Sequence, residues 1–258
     1  MTKRFHFFVS VAGLIGAGCA LLIPASAFAQ SINFDLGQGP TTTARLVQLI
    51  MLMTVLTLAP SILMMVTCFT RIVVVLSFMR TAIGVQQTPP NIVLVSLALF
   101  LTLFIMQPVL QKAWDDGVKP LMNNEIDEET SFNRTVEPFH AFMLKHARQK
   151  DVDLFMQMAK IEPPKGTKDK SLTEKDIPLR ALIPAFMISE LRRAFEIGFL
   201  IFLPFLIIDM VIASLLMSMG MMMLPPSVIS LPFKVIFFVL VDGWYMISGS
   251  LVQSYGSG

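Results

Sequence analysis

From Leu46 to Phe69 the chain runs 24 residues without a charged side chain. A bilayer core takes about 20 residues of helix and leaves no room for unsatisfied backbone groups, so a run of this kind folds as helix in or beside lipid. Pro60 falls near its middle, and the apolar run resumes beyond Arg71 as far as Met79 before closing on Arg80. That is longer than one crossing and carries a cation inside it, which predicts a kinked or hairpin-like element instead of one straight span. Further apolar segments occupy 91–110, 184–224 and 228–252. The expected fold class is all-α, with membrane-associated helical hairpins and several passes. At 54% hydrophobic and 15% charged residues, an ordinary soluble domain is excluded. A net charge of +2 with no basic stripe sets nucleic acid aside as a partner.

Lys3 and Arg4 precede an apolar stretch from Phe7 to Ile23, followed by Pro24 and the small-residue pattern Ala27-Phe28-Ala29. This is the layout of a secretory signal peptide, residues 1–29, cleaved after Ala29. A lipid-attachment reading at Cys19 is weaker, because Gly16 stands where Leu is wanted. With Cys19 removed, Cys68 has no disulfide partner and is expected as a small buried apolar residue. A mature chain that starts outside the cytoplasm and crosses an even number of times also ends outside. The connector holding Arg80 would then be cytoplasmic, as the positive-inside rule prefers.

Between Lys112 and Arg180 lie 25 of the protein's 38 charged residues, an abrupt change that predicts an extramembrane excursion. Within it Phe139, Phe142, Met143, Ala147, Leu154, Phe155 and Met158 recur at spacings that suit amphipathic helices. The stretch from Glu162 to Asp176 reads as a loop. The expected organisation after the signal peptide is an apolar hairpin region at 30–111, a charged helical domain on the periplasmic side at 112–182, and a second apolar hairpin at 183–258.

Residues 217–226 read Met-Ser-Met-Gly-Met-Met-Met-Leu-Pro-Pro. Methionine is flexible and polarisable, so such a cluster can close a gap without a fixed shape. The competing readings are ordinary helix filler and soft ligands for Cu(I). The last segments also carry charges: Glu190, Arg192, Arg193 and Glu196, then Asp209, Lys234 and Asp242. An ion at mid-bilayer costs at least ~2.5–3.5 kcal/mol, so these groups should be paired and shielded. More of them occur than one small bundle comfortably shelters, which predicts an oligomer with the charged faces buried between copies. An ion or soft-metal transporter, with Asp209 as coupling site, is the alternative.

No catalytic constellation is present. Glu137-Pro-Phe-His140 has the spacing of half a di-iron site, but its counterpart is missing and Pro138 sits within it. His140 and His146 fall on different helix faces, and the acidic run Asp127-Glu128-Glu129 reads as a solvated edge. There is no Walker loop, nucleophile elbow or zinc-protease motif. An enzyme, a cofactor and a metal centre are not expected.

In the C-terminal third, Pro184-Ala-Phe-Met-Ile-Ser-Glu190-Leu, Ala194-Phe-Glu-Ile-Gly198-Phe, Leu203-Pro-Phe-Leu-Ile-Ile-Asp209, the Met run with Leu224-Pro-Pro, Ser230-Leu-Pro-Phe-Lys234 and Val241-Asp-Gly-Trp244 follow in order. Phe69-Thr-Arg71-Ile, Pro89-Pro-Asn91 and Ala98-Leu-Phe-Leu-Thr-Leu-Phe-Ile-Met106 precede them. This set resembles the FliP family of flagellar biosynthetic proteins, which includes homologous subunits of virulence-type injectisomes. The signal peptide looks more like the flagellar branch. The resemblance implies a core pore-forming subunit of the type III protein export gate, a pentameric helical ring joined by FliR, FliQ and FlhB. It implies a place in the bacterial inner membrane at the flagellar basal body, raised toward the periplasm, and unfolded flagellar proteins as cargo. It further implies that Met219, Met221, Met222 and Met223 form a gasket narrowing the pore, and that Arg71 and the charges of the last two segments are sheltered by neighbouring subunits.

Overall fold

The computed structural model describes residues 40–85, 87–161, 177–221 and 223–256. The expected signal peptide with its cleavage at Ala29, and the expected loop at 162–176, lie outside the described residues. Residues 1–53 and 54–258 form separate compact units, and the first is described only as the start of a helix. Every regular element among the described residues is helical.

Helix α1 covers Pro40–Val66 and contains Pro60. The chain breaks at Thr67-Cys68 and re-enters helix as α2, Phe69–Ile83. The long apolar run is therefore two helices, and the break sets Arg71 in the first turn of the second. Cys68 is buried, with its Sγ 4.0 Å from the Thr102 carbonyl. Helix α2 stops at Gly84, whose φ of +88° and N–H bond to the Thr81 carbonyl make a left-handed cap open to glycine at little cost. After a short turn, α3 runs Asn91–Ala113 and passes through a π-helical turn at Trp114–Val118 into α4, Lys119–Met122.

The charged region folds as α5, Glu128–His146, and α6, Gln149–Met158. The acidic run that reads as a solvated edge also starts α5. Asp127 is its N-cap, accepting the Thr130 N–H at 3.3 Å, and Glu128 and Glu129 follow in the first turn, where the helix dipole favours anions. The His140 Nε2 lies 2.7 Å from the Ile177 carbonyl.

Helix α7 then runs unbroken for 40 residues, Leu179–Ser218, about 60 Å at helical rise. Its first turns do not face lipid. Ala181, Leu182, Ala185 and Phe186 are buried with Met143, Val152 and Met156 in the core of the charged region. Lower down, α7 packs on α2 around Ile72, Val75, Leu76 and Met79, all fully buried, with Ala98 of α3 and Ala194 of α7. The approach is close at Gly198, where an added Cβ would lie 2.6 Å from a ring carbon of Phe78. Helices α8, Pro226–Leu240, and α9, Gly243–Gly256, complete the chain and are bent 60° from each other.

By length and apolarity, 91–122 and α7 could each cross a membrane, and among the described residues up to four spans result if the α8/α9 pair and the two parts of α1 about Pro60 each count as one. The chain is an all-α membrane protein, with exposed apolar residues such as Phe100, Phe104, Phe199 and Ile207 along its helices.

Candidate functional site

Arg71 occupies the first turn of α2, and the adjoining Thr67-Cys68 break turns it inward against the N-terminal third of α7. Its Nε donates to Glu190 Oε2 at 2.8 Å and its Nη2 donates to Oε1, a forked pair with the two side chains 1% and 0% exposed. The remaining arm, Nη1, donates to Ser254 Oγ at 3.1 Å on α9. Tyr255 on the next position places its ring 3.9 Å from the Arg71 guanidinium carbon and donates its hydroxyl to Glu190 Oε2. Guanidinium, carboxylate, phenol and ring face are thus mutually satisfied without water, the condition under which a buried ion pair is tolerated.

The junction extends into the charged region. Phe142 stacks near Tyr255 with centroids 6.0 Å apart, and His146 meets the same ring edge-on at 5.0 Å. On the adjoining face of α7, Ser189 donates to Asp151 at 2.6 Å and accepts the Arg148 N–H at 2.9 Å, while the Arg148 guanidinium forks onto Asp151 at 2.8 and 2.9 Å. Ser189 and Glu190 therefore tie α6, α2 and α9 to one point on α7.

A second polar group sits lower, between α7 and α8. Lys234 donates to Asp209 Oδ2 at 2.6 Å and Ser230 to Oδ1 at 2.5 Å. Lys234 is 8% exposed but Asp209 is 40% exposed, so the carboxylate reaches the surface of the helix pair. Within one chain, Arg71 pairs with Glu190 and Lys234 with Asp209. Long side chains on helices that cross closely bring these partners together, which a count of charges per bundle does not show.

The other charges are not part of either group. Arg192 forms an exposed i, i+4 pair with Glu196 at 2.8 Å, and Arg193 is half-buried near His146. Asp242 lies exposed at the α8–α9 turn with φ +49°, and its carbonyl accepts the Met246 N–H at 3.0 Å. The methionines occupy the turn joining α7 to α8. Met219 is 67% exposed, Met221 37% and Met223 98%, Gly220 turns the chain with φ +74°, and Met222 lies outside the described residues.

The FliP family model matches residues 52–251, which hold both polar groups and the methionine turn except for Ser254 and Tyr255. The chain belongs to the FliP family. It is 55% identical over 246 residues to the flagellar biosynthetic protein FliP of Caulobacter vibrioides, covering 95% of this chain and 90% of that one. It is 54% identical over 224 residues to the flagellar biosynthetic protein FliP of Bacillus subtilis, 87% and 98% of the two chains, and 47% identical over 228 residues to that of Aquifex aeolicus, 88% and 93%. The transporter alternative finds no support among these relatives, and no cluster of His, Cys, Asp or Glu suited to a metal occurs among the described residues. Sequence reasoning picked out Arg71 and Glu190 in this FliP-family chain but missed Ser254, Tyr255, His146, Ser189, Asp151 and Arg148. A lone Ser-Tyr near a C-terminus and a single His in a charged stretch carry no local pattern.

Proposed function

We propose that this FliP-family chain is a core subunit of the flagellar type III export gate, conducting unfolded flagellar proteins across the bacterial inner membrane at the basal body and catalysing nothing itself. The observation that carries the reading is the exposed methionine turn at the tip of the α7–α8 hairpin, with Met219 and Met223 directed away from the chain's own core. In a ring of copies, Met219, Met221, Met222 and Met223 from each subunit surround an axis with flexible thioethers that part for a polypeptide and close against ions.

FliR, FliQ and FlhB complete the assembly, with 112–182 as its periplasmic domain and the apolar hairpins 30–111 and 183–258 raised toward that side. The Arg71–Glu190 junction fixes the hairpins within a copy. Arg192, Arg193 and Asp242, together with the surface edge of Asp209, are left to contacts with neighbouring chains. The exposed apolar faces of α3 and α7 are met by lipid or by those neighbours. Replacing the four methionines by alanine is expected to raise ion leakage through the assembled gate while secretion persists. Ion permeability equal to that of the unsubstituted gate would sink the gasket assignment.

A further inference from the structure

A cavity of about 510 Å³ opens where the C-terminal end of α2 meets the first turns of α8, at the end of the bundle that also holds the α2–α3 turn. Its polar wall is Arg80, Thr81, Ser227 and Lys234, and its apolar wall includes Val85 and Leu231. Gly84 forms part of the wall between the two helices. A Cβ there would stand 3.4 Å from Leu231 Cδ1 and 4.0 Å from Lys234 Nζ, so the ammonium lies at the cavity wall.

The charge inside is unbalanced. Two cations line the cavity and no carboxylate does; Lys234 gives one donor to Asp209 outside the lining. Arg80 pairs with no carboxylate among the described residues. Its Nη1 donates to the neutral Asn91 side chain and the Pro89 carbonyl, which aims the guanidinium without neutralising it. A guanidinium fork and an ammonium, with the exposed Ser227 hydroxyl beside them, form a donor set suited to a tetrahedral oxyanion, while Thr81 lines the wall with its hydroxyl already donated to the Ser77 carbonyl at 2.9 Å. The first turn of α8 adds the positive end of a helix dipole on the same side. The mixed wall matters as well, since a purely polar ion would gain nothing from Val85 and Leu231. Apolar helices give way to turns at this end.

We propose that this cavity binds a phosphate-bearing anion, either the headgroup phosphate of an anionic phospholipid or free phosphate, held by Arg80 and Lys234 with Ser227. Occupancy would brace the α2–α3 turn against α8, next to the methionine turn. The inference is independent of the export reading except in taking the helices to be membrane-bound.

The test is native mass spectrometry of the detergent-purified full chain, co-expressed with its presumed partners, after addition of phosphatidylglycerol or phosphatidylcholine. Phosphatidylglycerol is expected to be retained at least about tenfold over phosphatidylcholine, and Arg80→Gln and Ser227→Asp are each expected to lose about tenfold of that retention while Arg80→Lys keeps part of it. Ser227 is exposed, so S227D carries the test even if R80Q folds poorly. In a second arm inorganic phosphate is titrated. Its displacement of phosphatidylglycerol, or its own binding lost in S227D, identifies free phosphate as the occupant. Equal retention of the two lipids with no phosphate binding overturns the proposal, as does retention unchanged in both variants. Oligomer mass in the same spectra reports separately on the ring.

Discussion

Arg71 and Glu190 stand 119 positions apart, yet they meet in a forked ion pair sealed from solvent. A pair of this kind owes its existence to completeness: each charge is desolvated, and the other charge, with Tyr255 and Ser254, replaces the lost water. Removing one member leaves a buried charge with nothing to meet it, at a cost of about 3–5 kcal/mol. Glu190→Ala and Arg71→Ala are each expected to abolish or severely reduce folded protein. The double change Arg71→Met with Glu190→Leu, which removes both charges, is expected to recover most of the loss. Thermal unfolding of the detergent-extracted protein measures both, and a double variant no better than the singles would show that the ions themselves are needed.

Tyr255 separates two contributions at the same junction. Tyr255→Phe keeps the ring over Arg71 and its packing on Phe142 but deletes the donor to Glu190, an expected cost of about 1–3 kcal/mol. Tyr255→Ala removes both and should free the end of α9. Limited proteolysis reads this directly. Cleavage within 243–256 should rise strongly in the alanine variant and slightly in the phenylalanine one, and equal resistance would show that α9 is held elsewhere.

The helical class was legible because apolar runs with few charges have no other solution in lipid, and the methionine turn was legible because its composition is unlike a neighbouring helix. The charged region's C-terminal boundary has no such marker in composition. Sequence reading places it at 182, a residue that α7 passes through without a break, and Ala185 and Phe186 just beyond it join the core under α5 and α6. An apolar helical turn has the same composition whether it faces lipid or another helix. Arg71 stood out as a cation in an apolar run, whereas its partner could not be chosen from the cluster at 190–196, since Glu190 and Glu196 differ only in the face of α7 they occupy. One is fully buried and the other exposed.

Gly198 lets α2 and α7 approach at the level of Phe78. Phe78 is already fixed edge-on against Phe195 at 4.9 Å and Phe202 at 6.2 Å, so it has little freedom to retreat from a new side chain. Gly198→Val is expected to destabilise by about 1–3 kcal/mol through overpacking. The pair Gly198→Val with Phe78→Leu should be less affected than the single variant, because the shorter side chain vacates the contested space. Their melting temperatures decide it, and additive losses would place the close contact elsewhere.

His146 gives the junction a pH dependence of definite sign. Burial lowers its pKa from 6.5 to about 4, and the positive charges of Arg71, Arg193 and Lys145 push in the same direction. The neutral ring is therefore the one that packs on Phe142 and Tyr255. Between pH 6.5 and 4 the unfolded chain binds this proton and the folded one does not, so stability is fully present above about 6.5 and falls as the solution is acidified. The loss amounts to no more than a few kcal/mol, and solvent screening reduces it further. His146→Phe keeps an aromatic ring against Tyr255 and removes the titration. Its melting temperature is expected to fall less than that of the unsubstituted protein between pH 7 and pH 4.5. Parallel curves for the two proteins would show that the acid sensitivity, if any, belongs to the carboxylates and not to this ring.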